Sequence, residues 1–387
     1  MARYITYSVL KSQLLGGVLL FASAPNLSAD QWDIGGDIHQ QIVYDSNFLM
    51  SRNEQAIWAY TIDPRVSVDY STRRYTSNLS GTLSVKRHTD LERYDTENPS
   101  YYWNQSYMLR RHEFALDVDY SDRLTRELAA EDTGDFSAED NVKTTNVNPY
   151  WIYQLSPIDT LRMNYVYTDR HYVSGEFDEN TDTTLAFDWA RQLFGNMSFL
   201  TSASISRYDA TSRNEKNDTE YIQLAAGIKK TWHRMLLLEF RFGYYETEND
   251  QVLFSRSEPV KNTIKTSGSL LEFVASHKQK LNTYGFKLSK RLLPSSEGQV
   301  RDRYTAGAVW SRELSHRSAL DTEIFWGKTE GSDVSDSDNI QSSLSLSYSY
   351  RMTKAISLKA AYAHSLQDNG QTKVSSDEVS LDVGYRF

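Results

Sequence analysis

Cysteine is absent from all 387 residues, which excludes a disulfide scaffold, a zinc–cysteine site and a cysteine nucleophile. Also missing is any hydrophobic run near the roughly 20 residues that a transmembrane helix needs, and the mean hydropathy is −0.59. No helix-period segment, linker or shift in composition marks a second domain. A basic excess is lacking too: 42 Lys and Arg stand against 51 Asp and Glu. The resulting net charge of −9 and pI near 5.5 argue against a nucleic-acid partner, which would call for a basic stripe. What the chain does have is 26 Tyr, 8 Trp and 15 Phe, residue types that favour strands and membrane interfaces.

The chain begins with Arg3 and Lys11 and no acid, followed by the apolar run LLGGVLLFASA from Leu14 to Ala24. That run is too short to span a bilayer and has the length of a signal-peptide core. Small-residue cleavage sites end at Ala24 and Ala29, and the second avoids Pro25 beside the cut. Residues 1–29 therefore read as an export signal, and 30–387 as a single mature domain.

The mature sequence alternates. In WDIGGDIHQQIVYD, Trp32, Ile34, Ile38, Ile42 and Tyr44 share one side, while Asp33, Asp37, His39 and Gln41 share the other; this is the two-residue period of a strand. Similar alternation recurs at 58–70, 75–87, 105–120, 123–131, 141–155, 161–171, 181–190, 197–207, 219–230, 235–246, 265–276, 281–291, 301–311, 319–328, 339–350, 356–364 and 377–387, which makes about 18 strands. The segment at 123–131 is the weakest, and 16 strands is the alternative count. Connections alternate as well: STRR, SPIDT, RQLFGN, TWHR and RMTKA are short, whereas HTDLERYDTENPSYY, RYDATSRNEKND, ETENDQVLFSRSEPVKNT and GKTEGSDVSDSD are long.

An even number of strands, with short turns at one end and long loops at the other, is the organisation of an all-β, antiparallel, up-and-down transmembrane β-barrel. Lipid offers the backbone no hydrogen bonds, so a sheet can cross it only when closed. The apolar faces must then point outward, with Trp58, Tyr60, Tyr70, Trp151, Tyr153, Tyr348 and Tyr350 near strand ends as interfacial girdles. A soluble β-sandwich would also alternate, but with its greasy face inside; about 18 successive hairpins behind an export signal fit one large barrel better.

The polar face then belongs to a lumen. Its candidate lining residues are Asp37, His39, Asp63, Arg65, Arg111, Glu113, Arg162, Asp188, Glu239, Arg241, Glu272, Lys287, Arg303, Glu323, Lys359 and Arg386, with both signs interspersed. A wet lumen accounts for them without further function; a sugar path, with Tyr221 and Tyr245 stacking on pyranose rings, is the sharper reading. A hydrolase is disfavoured, because His233, His277 and His316 fall at turns, His88 and His171 near loops, and His112 and His364 on the outward parity. His39 shares its face with Asp37, a pair that is more often a local hydrogen bond than a catalytic dyad. Asp333, Asp336 and Asp338 lack the spacing of a calcium loop. No metal, cofactor or catalytic residue is expected.

The closing segment VSLDVGYRF resembles the C-terminal signal of bacterial outer-membrane proteins, with Leu381, Val383, Tyr385 and Phe387 at the matching positions. The resemblance implies recognition by the barrel-assembly machinery and residence in a Gram-negative outer membrane, among lipid and lipopolysaccharide. At family level the chain resembles the beta-barrel porin 2 group found with exopolysaccharide and capsule biosynthesis systems. That match rests on YDSNFL at Tyr44 to Leu49, NPYWIYQLSPIDTLRMNYVYTDRHY at Asn148 to Tyr172, LLPSSEG at Leu292 to Gly298, and VGYRF. It implies a channel for polysaccharide export working with separate periplasmic secretion components. A diffusion porin for small solutes or oligosaccharides, and a plugged surface or adhesion barrel, are the alternatives.

Overall fold

The computed structural model describes residues 32–127, 136, 139–173, 177–211, 215–232, 235–254, 260–295, 299–330, 338–370 and 372–387. The expected export signal and its cleavage site lie outside the described residues, as do His233, Asp333 and Asp336. In chain order the strands are β1 (Trp32–Asp45), β2 (Ile57–Ser71), β3 (Tyr75–His88), β4 (Thr96–Met108), β5 (His112–Leu124) and β6 (Asn141–Gln154). Next come β7 (Asp159–Tyr172), β8 (Glu179–Gln192), β9 (Met197–Thr211), β10 (Glu215–Trp232), β11 (Leu236–Leu253) and β12 (Val260–Lys278). The last six are β13 (Asn282–Pro294), β14 (Val300–Ser315), β15 (Ser318–Thr329), β16 (Asn339–Arg351), β17 (Ile356–Asp368) and β18 (Lys373–Arg386).

Each strand pairs antiparallel with its neighbours in sequence, and β1 pairs with β18, so the 18-stranded sheet closes on itself. The seam matches Ile38 with Tyr385, Gln40 with Val383 and Ile42 with Leu381, which puts the apolar positions of both strands on one face. Phe387 completes it: its N–H donates to the Gly36 carbonyl at 2.9 Å, and it accepts from the Gly36 N–H at 3.3 Å. A Cβ on Gly36 would lie 2.5 Å from the Phe387 ring, so glycine here makes room for the terminal aromatic.

Two prolines test whether the pattern tolerates a missing donor. The β2–β3 ladder skips from Ile62↔Val85 to Arg65↔Thr82 around Pro64, and β6–β7 skips from Val147↔Tyr167 to Tyr150↔Asn164 around Pro149. Register resumes unchanged beyond each, because proline removes a bond without adding a residue.

The apolar face is the convex one. It carries exposed Ile34, Trp58, Leu79, Ile205, Phe242, Ile324 and Leu381, a belt that suits lipid. Aromatic pairs mark its edges: Trp32 with Tyr70 at the short-turn end (4.6 Å) and Tyr44 with Trp58 at the long-connection end (5.2 Å). At the short-turn end His112 stacks on Tyr153 at 4.6 Å and accepts from Trp151 Nε1 at 3.2 Å. The chain is thus a transmembrane barrel.

Three sequence expectations change. The expected strand at 105–120 is the end of β4, a turn at 109–111, and the start of β5. Of the expected strand at 123–131, residues 123–124 end β5 and 125–127 form a helical turn, while 128–131 lie outside the described residues. Strand β4 occupies much of what was expected to be a long loop, so one strand missed and one over-counted leave the total at 18. The long connections shrink likewise, because β10, β11 and β12 run for 18, 18 and 19 residues and stand above the apolar belt.

Candidate functional site

Side chains from strands two or more apart can touch only on the concave side of a closed wall, and here they are polar. The Tyr221 hydroxyl on β10 donates to Asp182 on β8 at 3.3 Å. Register then assigns every other residue. Asp37 pairs with Arg65 and Arg386, and His39 with Asp63; Arg162 pairs with Asp188, and Arg241 with Glu272. Glu113, Glu239, Lys287, Arg303, Glu323 and Lys359 share the same face by their own pairings. Arg111 departs from the expected set: it lies in the turn at 109–111, outside the strands, because the β4–β5 hairpin closes there.

Neighbouring charges on this face interlock. Glu239 meets Lys229 at 3.4 Å and Arg241 at 2.8 Å, and Glu272 meets Lys287 at 3.5 Å and Arg241 at 4.0 Å. His39 lies 3.4 Å from both Asp37 and Asp382. These side chains are partly exposed, so such pairs fix positions more than they add stability, about 0–1 kcal/mol each.

The wall is not continuous at its upper end. The β12–β13 ladder stops at Leu271↔Lys290, whereas β12 stays paired with β11 up to Val260 and β13 stays paired with β14 up to Pro294↔Val300. The β14–β15 ladder likewise begins only at Arg303↔Thr329. Among the described residues, the hairpin thus leaves the β12 ladder above Lys290 and the β15 side above Asp302, whose carbonyl still accepts from the Glu330 N–H at 3.0 Å. The hairpin's parity shows where it goes. Asp302 belongs to the face that carries Ala306 and Ala308, yet it accepts a 2.8 Å hydrogen bond from Tyr245, whose own parity is that of Arg241. A convex-face residue can meet a concave-face one only if the hairpin has swung inside the barrel.

Further contacts hold it there. The Tyr208 hydroxyl of β9 donates to the Ser295 carbonyl at 2.6 Å, and Leu292 and Val300 pack against the buried Tyr208, Ala210 and Tyr221. Gly268, opposite Tyr245, leaves the room that the phenol crosses, since a Cβ there would lie 2.5 Å from its oxygen. Lys290 pairs with Asp302 at 2.9 Å. Between the hairpin and the tall β10–β12 wall remains a cavity of ≈ 430 Å³ lined by Tyr245, Thr247, Asn262, Leu292 and Asp302.

The opposite half of the mouth is also filled. Phe48, from the β1–β2 connection, packs with Leu49 against Ile57, Ala59, Leu91, Tyr94 and Leu124. The Arg126 guanidinium lies 3.5 Å over the Phe48 ring and donates to the Phe48 carbonyl. Inward packing at two sides leaves a lumen narrower than the strand number alone would allow. Tyr221 and Tyr245, which the sugar-path reading would use as stacking platforms, are 6% and 3% exposed and hydrogen-bond to Asp182 and Asp302 instead.

The site is the polar concave face with segments packed inward at one end. No protein-family model and no curated protein matches this sequence. Several solved structures are similar to it over nearly their whole length. The chain is similar to OpdQ of Pseudomonas aeruginosa at 10% identity, covering 93% of this chain and 99% of that one, with a TM-score of 0.49. It is similar to OccAB3 of Acinetobacter baumannii at 12% identity, covering 92% and 99%, with a TM-score of 0.46. A third is OccK2 (OpdF) of P. aeruginosa in complex with glucuronate, at 10% identity, covering 92% and 98%, with a TM-score of 0.47. Likeness at this level assigns no solute to this chain.

Proposed function

We propose that this protein is a non-enzymatic diffusion channel for small hydrophilic solutes in a Gram-negative outer membrane. The observation that carries the proposal is the β13–β14 hairpin, folded inside a charged lumen and fastened to β9 and β11. A barrel of this strand number would otherwise enclose a wide channel. A fastened constriction selects by size, which suits small solutes and impedes a polymer. Among the described residues, no feature favours polysaccharide export, the function implied by the resemblance to exopolysaccharide-associated barrels. Separate periplasmic secretion components are not required by a diffusion channel, whereas lipid, lipopolysaccharide and the barrel-assembly machinery remain its proposed partners.

Liposomes reconstituted with the purified barrel test this. Monosaccharides should enter at rates that scale with protein content, while long dextrans should stay excluded. Retention of monosaccharides would refute a diffusion channel, and passage of long dextrans would return the export reading.

A further inference from the structure

The convex face is not evenly tall. In register across β8 to β11, Trp189, Thr201, Ala226 and Phe242 form one row, and Phe187, Ala203, Leu224 and Tyr244 form the next. Thr201, Ala203 and Ala226 are thus a floor between the rings of β8 and those of β11, and the furrow above them measures ≈ 560 Å³. Phe242 and Tyr244 lie six and eight residues above Leu236, the first of β11. At about 3.3 Å per residue and about 45° of tilt, that is roughly 14–19 Å above the short turns, so the furrow spans the half of the hydrocarbon next to that end.

Below the furrow the same face turns basic. Arg191 pairs in register with Phe199, and Lys230 with Met197, on the convex parity; the neighbouring Lys229 is the one that meets Glu239 inside. Arg191 precedes the β8–β9 turn, and Lys230 reaches that turn, since a Cβ on Gly195 would lie 3.4 Å from its Nζ. Arg191 keeps a 3.8 Å contact with Asp159, while Lys230 lies 5.5 Å over the Trp232 ring and has no ion pair among the described residues. One carboxylate against two cations leaves this end positive. The opposite end of β9–β12 differs: above the belt the convex face sets Asp209, Asp218, Glu220, Glu246, Glu248 and Asp250 against Arg207, Lys261 and Lys265.

We propose that the furrow and its two cations bind one anionic phospholipid, with an acyl chain in the furrow and the phosphate between Arg191 and Lys230. A chain lying on an even barrel wall touches protein on one side, whereas a chain between the rings of β8 and β11 gains dispersion contacts on three. Long basic side chains at a membrane edge keep their stems in the apolar layer and their charge at the headgroups. The short-turn end of such barrels faces the periplasm, which places the lipid in the periplasmic leaflet. A lipid of the other leaflet would bring its phosphate to the acidic end.

Native mass spectrometry of the purified barrel, titrated with dioleoyl-phosphatidylglycerol or dioleoyl-phosphatidylethanolamine, tests this. One phosphatidylglycerol should stay on each wild-type barrel, about tenfold more tightly than phosphatidylethanolamine, as two cations at a membrane edge allow. Arg191→Gln and Lys230→Gln together should bring the two lipids level, and Ala226→Phe, which fills the floor, should weaken both. Heat-modifiable migration in detergent gels confirms that each variant is folded. Equal retention of both lipids by the wild type, an undiminished preference in the folded double variant, or unchanged retention in folded Ala226→Phe would overturn the site. Tighter retention of lipid A than of phosphatidylglycerol would overturn it too, by assigning the furrow to the other leaflet. The site lies outside the lumen, so none of these outcomes bears on the channel reading.

Discussion

Alternate residues of the closing strand have opposite surroundings. Leu381 opposes Ile42 on the convex face at 51% exposure, while Ser380 opposes Val43 on the concave one. Arginine at position 381 must be dissolved in hydrocarbon, at a cost of about 2–4 kcal/mol near the bilayer midplane, whereas arginine at 380 reaches water. Unfolding titrations in lipid vesicles should show Leu381→Arg strongly destabilised and Ser380→Arg close to wild type; equal losses would mean the two faces are misassigned. Gly36 makes a second residue-scale point. Gly36→Val should weaken closure, because the Phe387 ring occupies the place of the new Cβ. Gel migration would show this as loss of the compact band at a lower temperature, and an unchanged transition would show that the terminal ring can move aside without cost.

At the scale of elements, faces were legible from sequence and bends were not. The strict two-residue period fixes parity wherever a strand is continuous, so which residues of a strand share a face was readable from its alternation. Boundaries failed where turn chemistry was missing. Leu109, Arg110 and Arg111 close the β4–β5 hairpin without a Gly, Pro, Asn or Asp to announce it. Conversely, Asn98, Pro99 and Ser100 look like a loop yet lie inside β4, and there the ladder to β5 ends at Ser100↔Ser121, so the missing N–H of Pro99 costs no bond on that side. The inward swing of the β13–β14 hairpin left no periodic trace, because local alternation does not encode which way a detached hairpin turns. Its fastening can be tested directly. Tyr245→Phe removes a hydrogen bond to a carboxylate, an interaction of about 1.5–3 kcal/mol. Single-channel recordings should then show larger current fluctuations than wild type. Ser295→Cys offers an independent probe in a chain with no native cysteine. Buried at 2% exposure, it should react slowly with an impermeant thiol reagent, and faster once Tyr208→Phe is added. Rapid reaction in the Ser295→Cys barrel alone would mean that the hairpin is not held.

The whole molecule joins a continuous lipid-facing belt to a lumen that is charged and partly filled. Closure through β1 and β18 leaves no sheet edge in the hydrocarbon, which is what allows a chain of mean hydropathy −0.59 to cross a membrane. Strand number sets the circumference, and the inward-packed segments set the aperture. These are separable: replacing residues 292–300 by a short turn removes the hairpin tip but leaves the β13–β14 ladder below Arg291↔Arg303 intact. Single-channel conductance in planar bilayers, wild type against this shortened variant, is the most direct measurement of whether the hairpin forms the constriction. The wild-type barrel should form stable aqueous channels, and the shortened barrel should conduct markedly more at the same salt. Equal conductance in two folded barrels would contradict a constriction at the hairpin.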